Sequence, residues 1–197
     1  MALKAMNKNP KSATREQPEG GTHMARLVGL TDLGHQPGFV WGGKEIESSW
    51  KVEFTYELVS AKMADGRPFW VSEEVGVNDF EGEGITSTMM ARVRTMDKNN
   101  ASKDGTDLSA LIGLPCMVTV TINDKGYPKL KGQASVSGIP LGMELPELAN
   151  PSFTFDMDDP DMEQYSKFSD FTQGKLQKAL NFNETALAKE LAQGEDF

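Results

Sequence analysis

The sequence predicts a mainly β protein: a small, partly open β-barrel of five antiparallel strands, one helix between strands 3 and 4, and a helical acidic C-terminal extension. Three observations predict it. The stretch "WKVEFTYEL" alternates apolar and polar residues from Trp50 to Leu58, the period of two that marks a strand with one buried face. In "GITSTMMARVRTMDKNN" the alternation gives way to helical spacing, with Ile85, Met89, Val93 and Met96 on one face. After Pro140 the composition turns acidic, Pro-rich and aromatic, and the last apolar stripe is again helical.

Taken in order, residues 1–20 are polar and lack an apolar period, which predicts a flexible, mildly basic arm. The first strand is expected from about Thr22 to Leu30. "DLGHQPGFVWGGKEIESS" is rich in Gly and turn formers and reads as a long loop. The second strand turns Trp50, Val52, Phe54, Tyr56 and Leu58 inward. An Asp-Gly turn in "ADGRP" leads to "FWVSEEVGV", a returning strand with Phe69, Val71, Val75 and Val77 inward and Trp70 outward. The helix is capped by Thr86 or Ser87 and ended by "KNNASKDG", and "DLSALIG" suggests a short second helix. "PCMVTVTINDKGYPKLKGQASVSGIP" supplies the last two strands around Asp124-Lys125-Gly126, with Cys116, Val118, Val120 and Ile122 on one face. Five antiparallel strands with a helix between the third and fourth is the order of an OB-fold, with an open sandwich as the alternative. This domain spans 21–143. Residues 144–172 read as an acidic, aromatic-containing linker, 173–193 as an amphipathic helix with Leu176, Leu180, Leu187 and Leu191 on one stripe, broken near Asn183 if it is two, and 194–197 as an acidic terminus ending in Phe.

The totals narrow the function classes. The 197 residues carry a net charge of -9. Up to Asn150 there are 16 basic and 19 acidic residues, and from Pro151 onward 4 and 10, so the last quarter holds most of the excess. No apolar run approaches the roughly 20 residues of a membrane span, and the N-terminal stretch has no apolar signal-peptide region. Cys116 is the single cysteine, which excludes an internal disulfide and fits a reducing compartment. With His23 and His35 as the two histidines, a structural zinc site lacks its ligand set.

Three motif-like stretches fail on chemistry. "GFVWGGKE", Gly38 to Glu45, approaches the phosphate-binding pattern G-x-x-x-x-G-K-[ST], but Glu45 replaces the hydroxyl that holds magnesium, and a strand follows where a helix is needed. In "DMDDPDME", Asp159, Asp161 and Glu163 fit the first calcium-loop positions, but Gln164 stands where glycine must turn the chain and Asp170 where a Glu is needed. Neither His23 nor His35 has a nucleophile setting; His35 reads as solvated and Cys116 as core. No catalytic constellation is evident, and neither a cofactor nor a metal is expected.

The remaining signal is rings beside cations. Trp70 points outward, Tyr127, Lys129 and Lys131 share one parity, and Arg67 and Lys125 sit in turns. Exposed rings beside a positive groove bind single-stranded nucleic acid by stacking and phosphate neutralisation. Glu53, Glu57 and Glu74 on the outer face oppose it. The stretches "GTHMARLVGLTDLG", "KVEFTYEL" and "LIGLPCMVTVTINDKGYPKLKGQASVSGIPLGM" resemble bacteriophage single-stranded DNA-binding proteins, over about Gly21 to Met143. That resemblance implies an OB-fold, a non-enzymatic role in phage DNA replication or recombination in the host cytoplasm, and an acidic tail. The tail would dock on replication or recombination proteins through its terminal Phe, or compete with DNA. Glu195, Asp196 and Phe197 match such an ending. The expected partners are single-stranded DNA, those proteins and a second copy of the chain, without a membrane. The competing class is an OB-like adaptor that binds a host or phage enzyme and no DNA.

Overall fold

The computed structural model describes residues 16–77, 88–97, 108–130 and 135–194. Most of the expected N-terminal arm, Ile85 with the capping Thr86 and Ser87, "KNNASKDG" beyond Asp97, Lys131, and Glu195 to Phe197 fall outside them.

The chain is mainly β, organised around one long strand. Strand β1, Gly21–Gln36, pairs antiparallel with β4, Ser49–Lys62, along one edge. Its other edge is shared. Gly21 to Arg26 pair antiparallel with β6, Pro115–Ile122, and Gly29 to Thr31 pair parallel with β9, Phe153–Phe155. With β5, Pro68–Gly76, and β7, Pro128–Leu130, the path runs β5-β4-β1-β6-β7, and β8, Val136–Ser137, adds to β6. The end strands β5 and β7 approach within 8 Å between Cα atoms but share no ladder among the described residues, and the sheet is not closed into a barrel.

The alternation in "WKVEFTYEL" places Phe54, Tyr56 and Leu58 in the first core, with Ala25, Leu27, Leu30, Val71, Val75, Cys116, Val118 and Val120. Helix α1, Thr88–Met96, closes this core with Met89, Val93 and Met96, as its spacing predicts. Trp50, Val77 and Ile122 differ from expectation: all three lie at or just past strand ends, beyond the core's rim, and are exposed.

A polar cluster lies inside this core. Glu73 shares the inward face of β5 with Val71 and Val75, and α1 buries Arg92 completely beside Met89 and Val93. Arg92 Nε donates to Glu73 Oε1 at 2.6 Å and its Nη2 to Glu73 Oε2 at 2.8 Å. Tyr56 Oη donates to the same Oε1 at 2.8 Å, and Ser135 Oγ accepts from Arg92 at 3.0 Å. Burial, followed by the neighbouring Glu73 charge, pushes the Tyr56 phenol well above its ordinary range.

The region expected as loop and linker is ordered instead. Strand β1 continues through His35 because Val28 and the Leu33–Gly34 step bulge from its ladder with β4, turning its end toward the C-terminal segment. Gly34 has φ +68°, and a Cβ there would meet Asn181 Oδ1 at 2.7 Å and Met157 Sδ at 2.9 Å, so only glycine fits. Around that bend Leu33, Phe155, Met157, Tyr165, Leu176, Ala179 and Leu187 form a second core. Its helices are α2, Met162–Lys167, α3, Asp170–Gln177, and α4, Ala186–Gly194. A 3-10 turn at Phe182–Glu184 separates α3 from α4, so the last segment is two helices and Leu180, expected on the buried stripe, is exposed. His35 is half-buried and stacked on Trp50 at 5.5 Å, not solvated in a loop.

The Arg92–Glu73 pair gives a stability test. Arg92→Met leaves the largely buried Glu73 carboxylate without its cation and is expected to cost about 3–5 kcal/mol in urea unfolding. Arg92→Met with Glu73→Met should cost clearly less than the sum of the two single changes. Additive costs would show that the two side chains do not act as a pair.

Candidate nucleic-acid interface

Two hairpin turns place the expected cations. Gly21 pairs with Val120 and Arg26 with Glu57, so the start of β1 lies beside the end of β6 and toward the end of β4. The β4–β5 turn and the β6–β7 turn therefore project from the same end of the sheet. In the first, Asp65 Oδ1 accepts from the Arg67 backbone at 3.0 Å, and the Arg67 guanidinium is tied to Asp65 at 2.6 Å. In the second, Asn123 Oδ1 accepts from the backbone of Lys125 and of Tyr127, and Gly126 takes φ +82°. That turn leaves Tyr127 58% exposed between Lys125 and Lys129, and neither lysine forms an ion pair among the described residues. Asp124 in the same turn is the nearest carboxylate in sequence. The sheet brings together Lys125, Tyr127 and Lys129 directly and Arg67 at the same end; Lys131 falls outside the described residues.

Trp70 stands apart from this group in its surroundings. It points outward on β5 and is 41% exposed. Cross-strand pairs build its face in three rows: Arg26, Glu57 and Trp70; Gly29, Thr55 and Ser72; Thr31, Glu53 and Glu74. The C-terminal segment covers much of this face. Glu57 is fully buried, and its carboxylate accepts from Ala149 N at 2.6 Å, Asn150 Nδ2 at 2.6 Å and Trp70 Nε1 at 3.2 Å. The Phe153 ring lies on Gly29, where a Cβ would come within 2.2 Å of it, and 6.1 Å from the Trp70 ring. Arg26 donates to the carbonyls of Gly113, Leu145 and Pro146, and Lys175 pairs with Glu74. The expected outer wall of DNA-binding residues is thus partly occupied by the chain itself. The acid at Asp156 to Glu163 belongs to an ordered connection whose Phe155 and Met157 are buried.

This cover perturbs two carboxyls. Burial pushes Asp32 above its ordinary value, helped by the charges of Asp156 and Asp158 and opposed by its bond from Gly34. Burial also raises Glu53, with Lys175 opposing and Glu74 adding to the rise. Burial pushes the fully buried Cys116 thiol up to about 12.

At the opposite end of β4, Trp50, expected inward, is exposed, and so are Phe39 and Trp41 from the stretch expected as loop. "GFVWGGKE" forms a separate two-stranded hairpin of β2, Phe39–Trp41, and β3, Lys44–Ile46. The Gly-Gly dipeptide after the apolar run Phe39–Trp41 was the available signal. Among the described residues no three His, Cys, Asp or Glu side chains are grouped to hold a metal, and no helix is long and apolar enough to cross a membrane. Comparison with family models, with curated proteins and with solved structures finds no match.

Two outcomes follow from the covered face. Gly29→Ala forces a Cβ into the Phe153 ring and is expected to cost about 1–3 kcal/mol, with Phe153→Leu recovering part of the loss; an unchanged melting temperature for Gly29→Ala would show that the ring does not rest there. Asp32 and Glu53 bind their protons more tightly folded than unfolded. Their contribution to stability is fullest below the ordinary carboxylate values near 4 and is lost as pH rises through the raised folded values. Asp32→Asn should therefore match the parent near pH 4 and exceed it at about pH 7; equal differences at both would contradict the shift.

Proposed function

We propose that this chain is a single-stranded DNA-binding protein with an OB-fold, acting in phage DNA replication or recombination. The observation that supports this reading best is the β6–β7 hairpin, where the exposed Tyr127 ring stands between two lysines without ion-pair partners among the described residues. A base can stack on such a ring while the ammonium groups meet the phosphates on either side. Arg67 extends the cationic end, and the exposed part of Trp70 lies on β5, which approaches β7. The strand order β5-β4-β1-β6-β7, with α1 between β5 and β6 in the chain, supports the OB-fold reading.

The C-terminal role changes with the structure. A segment that supplies β9 and a second core is poorly suited to swing off as a competitor for DNA. Partner docking in this reading falls to Glu195, Asp196 and Phe197. The adaptor reading is favoured by Glu53, Glu57 and Glu74 on one sheet face, which would repel phosphate.

Retention of oligo-dT across a salt series tests the proposal. Binding should be tight at low salt, with a log–log slope of about -0.7 per neutralised phosphate. Lys125→Ala and Lys129→Ala should each flatten the slope by about that amount, and Tyr127→Ala should weaken binding about 5- to 150-fold. No retention at low salt would overturn the reading and leave the adaptor.

A further inference from the structure

We infer that the β2–β3 hairpin is a second base-stacking arm for single-stranded nucleic acid, using Trp41 and Phe39 as its platform. The inference rests on the DNA-binding reading and adds to it a contact at the far end of β4. The hairpin pairs Phe39 with Ile46, Val40 with Glu45 and Trp41 with Lys44, and belongs to no larger sheet among the described residues. Gly42 and Gly43 take φ +56° and +78°, the left-handed pair that a two-residue hairpin turn requires. A two-stranded ribbon with no sheet beside it is marginal in water, yet this one leaves Trp41 73% and Phe39 49% exposed. Rings set out on a tight turn in this way call for an occupant.

The charges decide which occupant. Partners directly opposite in a ladder share a face, so Phe39, Trp41, Lys44 and Ile46 lie on one side of the ribbon and Val40 with Glu45 on the other. The ring-bearing side therefore carries a cation, and the hairpin's carboxylate is turned away. Lys51 adds a second cation, with Nζ 5.6 Å from the centre of the Phe39 ring, and is shared with Glu74 at 3.7 Å. Trp50, stacked on His35, exposes a further ring next to Lys51. Alternating rings and ammonium groups match a polyanion whose bases have two apolar faces. An acid-rich protein surface would find the cations but offer no flat faces to the exposed rings.

The experiment compares oligo-dT affinity, its salt slope and sedimentation for the parent and for Trp41→Ala, Trp41→Leu, Trp41→Phe, Lys44→Ala and Val40→Ser. Thermal melts verify that each variant is folded. Trp41→Ala and Trp41→Leu should weaken binding about 5- to 150-fold, while Trp41→Phe retains most of it. Lys44→Ala should flatten the salt slope by about 0.7, and Val40→Ser, on the opposite side, should change neither. A parent that binds oligo-dT while Trp41→Ala and Trp41→Leu bind as well as it does would overturn the arm and leave the β6–β7 site standing. Dispersal of a dimer by Trp41→Leu, with oligo-dT affinity unchanged, would assign the hairpin to a second copy of the chain and overturn the inference equally. A parent that fails to bind at low salt removes the DNA-binding reading and the arm with it.

Discussion

A buried carboxylate holds the two halves of this protein together. Glu57 has no exposure to solvent, and an ionised side chain in that position is tolerable only if its oxygens are fully engaged. Two of its three donors, the Ala149 amide and the Asn150 side chain, come from the C-terminal segment, and the third is the Trp70 indole. Removing the segment would strand the charge. The same segment rests Phe153 on Gly29 and completes the edge of β1 with β9, so charge, ring and ladder all require it in place. The acidic C-terminal quarter is therefore architecture as much as appendage, and the face of Trp70 is narrower than the strand pattern alone implies.

This constraint sends any nucleic-acid path to the ends of the sheet. At one end the β6–β7 turn offers Lys125, Tyr127 and Lys129, with Arg67 on the neighbouring turn; at the other the β2–β3 hairpin offers Phe39, Trp41 and Lys44. The rows between them, where Glu53, Glu57 and Glu74 lie, are acidic; Lys175 pairs with Glu74, Asn150 donates to the buried Glu57, and Phe153 lies over Gly29.

Much of the first core was legible because simple periods govern it. Phe54, Tyr56 and Leu58 are read by alternation, and Met89, Val93 and Met96 by helical spacing. The polar members were not legible. Arg92 and Glu73 are charged residues on apolar faces, and only their bidentate contact makes that burial tolerable; no one-dimensional pattern shows a partner nineteen residues away. The second core was missed for a different reason. Asp32, Gly34 and His35 read as loop because their chemistry serves bulges and caps, yet the strand continues because β4 and the C-terminal helices hold it from outside. Of the candidate site, the parity of Tyr127 and Lys129 was readable, whereas the cover over Trp70 depends on a contact with Phe153 more than eighty residues away. The hairpin of "GFVWGGKE" reads as a Gly-rich loop between strands, because three-residue strands are too short to show a period.

The central claim, that the C-terminal segment is a fixed part of the sheet and stays in place when nucleic acid binds, is tested most directly by amide hydrogen exchange with and without saturating oligo-dT. The Ala149 amide, donated to Glu57, and the β9 amides should exchange with the protection of the β1 ladder, and that protection should persist in the complex. Loss of protection at Ala149 and β9 on binding, with β1 and β4 still protected, would mean that the segment swings away to bare the Trp70 face, and would contradict the account.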